Sequence, residues 1–130
     1  MMTVELLMLT LSTGLLLVIL LTQGSAGVLA NGVAAQAGSR DQLPEPAVFH
    51  ARTTRLRGNM IENLMLFAPV VLVANSIGVS NEITVLGAQI FFYGRVAHTI
   101  IYLAGWPWVR PLAFSVALVG TLMVASQLPF

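Results

Sequence analysis

An all-α integral membrane protein, a bundle of four spanning helices, is what this sequence predicts, and three observations predict it. Apolar residues make up 57% of the chain and charged residues 8%, against roughly 25% charged in a soluble domain. Four apolar segments each approach the roughly 20 residues that a helix needs to cross a bilayer. Arginines gather in alternate connections between those segments, as the topology of a multi-pass protein requires.

The first segment, about residues 4–24 (VELLMLTLSTGLLLVILLTQG), is long enough to span. A secretory signal needs a basic start and a shorter apolar core; MMTVELL carries an acid and no base, which favours a retained helix. The Ala- and Gly-rich SAGVLANGVAAQAGSR then reads as an extension of this helix with a close-packing surface. DQLPEPAVFH, with its prolines and acids, reads as a polar loop. The second segment, about 51–78, begins polar (ARTTRLRGNMIEN) and becomes apolar (LMLFAPVVLVANSIG), with a kink expected at Pro69. GVSNE turns the chain into the third segment, about 83–105. GWPW is a tight turn whose tryptophans suit the headgroup level. The fourth segment, about 110–128, has Pro111 in its first turn, where a missing N–H costs nothing. Residues 1–130 form a single domain with no internal repeat.

The ionisable inventory excludes several functions. A net charge of +1 offers no electrostatic footprint for nucleic acid. The chain has no cysteine, so it has no disulfide, no thiolate metal site and no thiol nucleophile of its own. Any sulfur chemistry must use a sulfur that the substrate brings. His98 has only His50 as a possible companion, and no metal site is expected.

With four crossings, the connections after the first and third segments share one side of the membrane. That side collects Arg40, Arg52, Arg55, Arg57 and Arg110, whereas the other, with both termini, carries only Glu5 and Glu82. The positive-inside rule makes the arginine side cytoplasmic.

Charges inside the membrane are the most informative feature. At about 100° per residue, Arg95, His98, Thr99 and Tyr102 share one stripe of the third segment. Arg52, Arg55, Asn59 and Glu62 share one of the second, and Arg57 points away. Glu62 and Arg95 lie about 15 Å from the same end, at about 1.5 Å per residue. A charge at the bilayer centre costs about 2.5–3.5 kcal/mol on insertion scales, so the two are expected within salt-bridge or one-water distance, in one chain or across a subunit boundary. Such a pair serves as structural glue or as part of a site. Arg52, Arg55 and Arg110 then remain at the cytoplasmic mouth, as headgroup ligands or as the walls of a pocket for an anion. His98 reads first as a hydrogen-bonded interior histidine, and Tyr102 equally as a packing residue or a ligand contact.

The motifs RLRGNMIENLMLFAP and GRVAHTIIYLAG carry a resemblance. From about Arg52 to Leu128 the chain resembles the membrane-associated proteins in eicosanoid and glutathione metabolism, the MAPEG family, with the second motif most like its prostaglandin E synthase branch. The first segment fits by hydropathy alone. The resemblance implies a homotrimer of four-helix subunits in the lipid bilayer, with glutathione as co-substrate between neighbouring subunits near the cytoplasmic side. It implies that Arg55, Asn59 and Glu62, with Arg95, His98 and Tyr102, hold the polar groups of glutathione, and that Arg110 sits by its sulfur. Two positions depart from the family pattern. Gly58 stands where many members have a second arginine, and Phe114 where the eicosanoid synthases have a tyrosine, which argues against an eicosanoid synthase.

The chemistry agrees with that ligand. Glutathione carries two carboxylates and one ammonium, which match a pocket with several arginines and one glutamate. A thiol with a pKa of about 8.5 is only slightly ionised at neutral pH; Arg110 nearby would favour the thiolate, which attacks a lipophilic electrophile or hydroperoxide. The reading is a membrane-bound glutathione transferase or peroxidase. Its alternatives are a catalytically silent relative that binds lipid or another anion, and a small transport subunit. The paired broken helices of inverted-repeat transporters are missing from the sequence.

Overall fold

The computed structural model describes residues 1–38, 48–106 and 110–130, without the side chains of Gln36 and Arg110. Every regular element among them is an α-helix: α1 (Val4–Asn31), α2 (Val33–Ala37), α3 (Val48–Ser76), α4 (Glu82–Ala104) and α5 (Arg110–Ala125). Of the expected loop DQLPEPAVFH, residues 41–47 lie outside the described residues, while Val48, Phe49 and His50 belong to the first turn of α3 and not to a loop; the second half of the GWPW turn also lies outside them. So do Arg40, Asp41 and Glu45.

α1 opens where the Thr3 hydroxyl accepts the Leu6 N–H at 3.2 Å, an N-cap bond. It continues through the first part of the Ala/Gly-rich stretch and breaks at Gly32, with φ of 85°. Only the five-residue α2 follows. The long α3 buries His50, Thr53, Leu56, Met60, Asn63, Phe67, Val71 and Ala74, a spacing of three and four that makes one inward stripe. Pro69 lies inside α3 without ending it.

Both ends of the α3–α4 hairpin are chemically specified. α3 stops in a Schellman motif: the Val79 N–H reaches Ala74 O and the Gly78 N–H reaches Asn75 O. α4 starts with a reciprocal cap, in which the Asn81 side chain accepts from the N–H groups of Ile83 and Thr84 while Thr84 Oγ1 accepts from the Asn81 N–H. Loss of such a cap typically costs about 1 kcal/mol. Asn81→Ala is therefore expected to lower thermal stability by that order, and Asn81→Ser to restore most of it in the same melting experiment. The buried Glu5 carboxylate accepts from the hydroxyls of Ser80 and Thr84 and so pins the start of α1 to this turn.

At its other end α4 closes on Gly105, with φ of 81°, whose N–H bonds to Ile101 O and Tyr102 O, and the Trp106 N–H returns to Ile101 O. The Arg52 guanidinium lies so close that a Cβ on Gly105 would stand 2.9 Å from its Nη2. A cation at a helix C-terminus opposes the negative end of the helix dipole, and here it joins the start of α3 to the end of α4.

The core sits where α1, α3, α4 and α5 meet: Met8, Phe67, Val71, Ala74, Ala88, Phe91, Ala117 and Val124. The rings of Phe67 and Phe91 stack at 3.9 Å. A second cluster of Ile19, Leu56, Met60 and Tyr102 lies nearer the other end. The closest approach is between α4 and α5, where a Cβ on Gly87 would lie 2.8 Å from Gly120 O and one on Gly94 would lie 3.2 Å from Ala117 N. Close packing thus falls on this seam. In the expected close-packing tail of α1, Gly27 is buried, whereas an added Cβ on Gly32 would meet nothing within 4 Å.

The outer surface is apolar: Leu17, Leu21, Met65, Leu72, Ile100 and Leu122 are all exposed. Exposed apolar surface on this scale marks a membrane or a protein–protein interface. Two helices among the described residues, α1 and α3, are long and apolar enough to cross a membrane. α4 has the length but carries Arg95 and His98 within it, and the apolar part of α5, Pro111–Ala125, is shorter than a span.

Candidate functional site

A cavity of about 520 Å³ opens between α3, α4 and α5, lined by Arg55, Gly58, Asn59 and Glu62 on α3, His98 and Tyr102 on α4, and Pro111, Phe114 and Ser115 on α5. The α3 residues fall on one face because positions 55, 58, 59 and 62 follow the helical repeat. His98 and Tyr102 are one turn apart on α4, and their rings lie 5.5 Å apart. Arg55 Nε donates to Tyr102 Oη at 2.9 Å, which orients the guanidinium along the cavity wall and ties α3 to α4 at its mouth.

Of the residues expected to bind a ligand, Arg55, Asn59, Glu62, His98 and Tyr102 are brought together here. Arg95 is not among the lining residues. It is fully buried, its Nε donates to Met60 Sδ at 3.4 Å, and its two terminal nitrogens have no hydrogen-bond partner among the described residues. The expected Glu62–Arg95 pair is not made within the chain. Equal depth places two residues at one level without setting the direction that each faces. Arg95 faces Met60, and Glu62 stands about 200° around α3 from Met60, at about 100° per residue; Glu62 is accordingly exposed at the cavity.

An isolated buried guanidinium is costly, and an apolar side chain of similar shape often replaces it without loss of stability. Arg95→Met is thus expected to melt no lower than the parent protein. A large drop in the melting temperature of that variant would reveal a partner for Arg95.

The other cations divide as follows. Arg57 turns from the cavity and donates from Nη1 to Gln23 Oε1 on α1 at 3.3 Å, so it faces away as its position on the helix predicts. Arg52 lies against Gly105 at the end of α4 and does not line the cavity. The backbone of Arg110 begins α5, directly before Pro111 in the cavity wall, while its side chain lies outside the described residues. Both departures from the family pattern, Gly58 and Phe114, face the cavity. The α5 wall is apolar apart from Ser115, whose hydroxyl is spent on Pro111 O at 2.9 Å. The site therefore has a charged and amide-bearing side and an apolar side. Among the described residues no cluster of His, Asp and Glu could hold a metal ion.

Sequence reasoning missed Pro111, Phe114 and Ser115 as a joint wall. Their helical spacing was the available signal, but an apolar stripe on a membrane helix looks the same whether it faces lipid or a cavity.

The fold and cavity define an all-helical membrane protein with a polar groove set among apolar helices. Residues 6–128 match the model of the MAPEG family, and the chain belongs to that family. The match takes in α1, beyond the stretch that the motifs alone supported. No curated protein and no solved structure matches the chain.

Proposed function

We propose that this protein is a membrane-bound glutathione transferase or peroxidase that activates the glutathione thiolate for attack on lipophilic electrophiles or hydroperoxides. The observation that carries this reading is the convergence of Arg55, Asn59, Glu62, His98 and Tyr102 on one cavity in a chain of the MAPEG family. A carboxylate and an ammonium of glutathione find opposite charges in Arg55 and Glu62, and the carboxamide of Asn59 and the imidazole of His98 offer further polar contacts. Arg110, at the start of α5, is the group assigned to the sulfur. A cation there stabilises the thiolate, and the first N–H groups of the helix add to that field. Arg95, buried between α4 and α3 against Met60, does not line the cavity.

In the transferase reaction the thiolate sulfur forms a bond to the electrophilic carbon, and the leaving group departs with the bonding pair. With a hydroperoxide, the sulfur attacks the terminal peroxide oxygen and releases an alcohol after protonation. A second glutathione then converts the sulfenic acid to the disulfide and water. The apolar wall of Pro111 and Phe114 suits an acceptor dissolved in the bilayer. In this reading the four longer helices cross the membrane, the chain assembles as a homotrimer, the termini are non-cytoplasmic and the cavity faces the cytoplasm.

Calorimetry with glutathione on the purified protein, followed by turnover on a panel of alkyl and aryl electrophiles and hydroperoxides, tests the proposal. Saturable binding with turnover is expected. Binding without turnover on every acceptor supports the second reading, a silent relative that binds lipid or another anion. Absence of binding overturns the glutathione assignment, and solute flux in liposomes would replace it with a transport role.

A further inference from the structure

α4 carries two polar side chains that the cavity does not use. At about 100° per residue, Gln89 and Tyr93 lie on the far side of α4 from its buried stripe of Thr84, Ala88, Phe91 and Arg95. Tyr93 is 61% exposed and Gln89 is half-buried. Neither the Gln89 carboxamide nor the Tyr93 hydroxyl makes a hydrogen bond among the described residues, whereas the hydroxyls of Thr84 and Thr99 on the same helix are engaged.

Their depth makes this costly. α4 begins at Glu82, so at about 1.5 Å per residue Gln89 and Tyr93 lie about 11 Å and about 17 Å along it. A hydrocarbon core is about 30 Å thick, which puts Tyr93 near its middle, far from the belt where interfacial tyrosines stand. An amide or hydroxyl without a partner at that depth costs free energy, and a partner from outside the chain removes the cost.

The surface around the two groups shows what that partner is. They lie in a groove of about 510 Å³, walled by Leu86, Ile90 and Ala97 of α4 and Val116 of α5. It shares no lining residue with the cavity between α3, α4 and α5. Small-molecule clefts have this size and make-up, mostly apolar with a few placed polar groups. No charged side chain lines the groove, so its occupant is neutral. Phospholipid headgroups stay outside the hydrocarbon core, so the polar atom of the occupant belongs to a molecule that carries it deeper. A carboxamide and a phenol each donate and accept, and one helical turn apart they can close on a single oxygen function from two sides.

We propose that this groove binds a neutral lipid-soluble molecule through a hydroxyl, hydroperoxyl or carbonyl group held between Gln89 and Tyr93 at mid-depth in the bilayer. An acyl chain oxygenated at its middle has this chemistry, and so has the ring of a quinone. The site rests on the reading above that α4 crosses the membrane, and it does not depend on glutathione.

The full-length protein in phosphatidylcholine vesicles is melted against increasing amounts of three probes: methyl stearate, the methyl ester of stearic acid hydroxylated at mid-chain, and a benzoquinone with a decyl chain. A molecule that binds only the folded protein raises its melting temperature according to concentration and Kd. The hydroxylated ester, the quinone or both are expected to do so, and methyl stearate is not; which of the two binds identifies the source of the oxygen. Gln89→Leu and Tyr93→Phe are each expected to raise the apparent Kd about fivefold to tenfold and, without probe, to melt no lower than the parent protein. An equal shift with methyl stearate, or unchanged affinity in the variants, overturns the site. A smaller oligomer in either variant also overturns it, because a second copy then covers this face. The chain has no cysteine, so a nitroxide on Tyr93→Cys marks one position, and its access to dissolved oxygen against a water-soluble nickel chelate reads its depth. A label in water overturns the membrane course of α4 and this site together. A label in hydrocarbon with no probe bound overturns the site alone and leaves the proposed function standing.

Discussion

Under the proposed function, Arg110→Ala is expected to bind glutathione but to lose about tenfold to thirtyfold of the transferase kcat/KM at neutral pH. A cation within about 4–6 Å of a thiol lowers its pKa by about 1–3 units, whereas a thiol of pKa about 8.5 is only a few per cent ionised near pH 7. The gain in thiolate saturates once the thiol is fully ionised, which limits the loss on removing the cation to the order given. The sign gives a second check. Above the ordinary thiol pKa the variant ionises its substrate without help, so the deficit shrinks as the pH rises toward 9. Stopped-flow absorbance of the thiolate, beside a pH profile of turnover, measures both. A deficit of the same size at every pH would show that the residue at the start of α5 acts by some route other than thiol ionisation.

Gly120→Ala is expected to be among the most destabilising small substitutions in the chain. Its Cβ would lie 2.5 Å from Gly87 O and 2.6 Å from Phe91 N, both main-chain atoms that no rotamer change can move. α4 and α5 must separate to admit it, and overpacking of this kind costs about 1–3 kcal/mol or more. Because His98 and Tyr102 stand on α4 while Pro111, Phe114 and Ser115 stand on α5, the same movement widens the cavity. Weaker glutathione binding is expected together with a lower melting temperature. Gly87→Ala removes space at the same contact, so the double variant is expected to cost less than the sum of the two single ones. An unchanged melting curve for Gly120→Ala would refute the close approach of the two helices.

Much of the site was legible in the sequence, for reasons that are local. Arg55, Asn59 and Glu62 fall on one face of α3 at any position of the neighbouring helices, and His98 and Tyr102 fall together on α4 in the same way. Arg57 faces elsewhere by the same periodicity, and it bonds to Gln23 on α1. The start of α5 before Pro111 and the turn around GVSNE were also readable, since proline at a first turn and Asn81 with Thr84 at a cap are signals within a few residues of chain. The limit of the glycine-rich tail was less so. Composition alone made SAGVLANGVAAQAGSR a close-packing surface, whereas α1 ends at Asn31 and the closest helix approach uses Gly87, Gly94 and Gly120.

What the sequence by itself determined is the helical class, the apolar exterior and the set of polar residues that each helix presents on one side. These depend on hydropathy and on the helical repeat, which any helix obeys before it meets a neighbour. Tertiary structure alone decided how far each helix is rotated about its axis against the others. That rotation turned Arg95 inward onto Met60 and left Glu62 at the cavity. It sent Arg52 to the end of α4, and it made Pro111, Phe114 and Ser115 the third wall. Rotation between helices is set by how side chains and bare glycine backbones fit across the seams, and no periodicity within one helix contains that information.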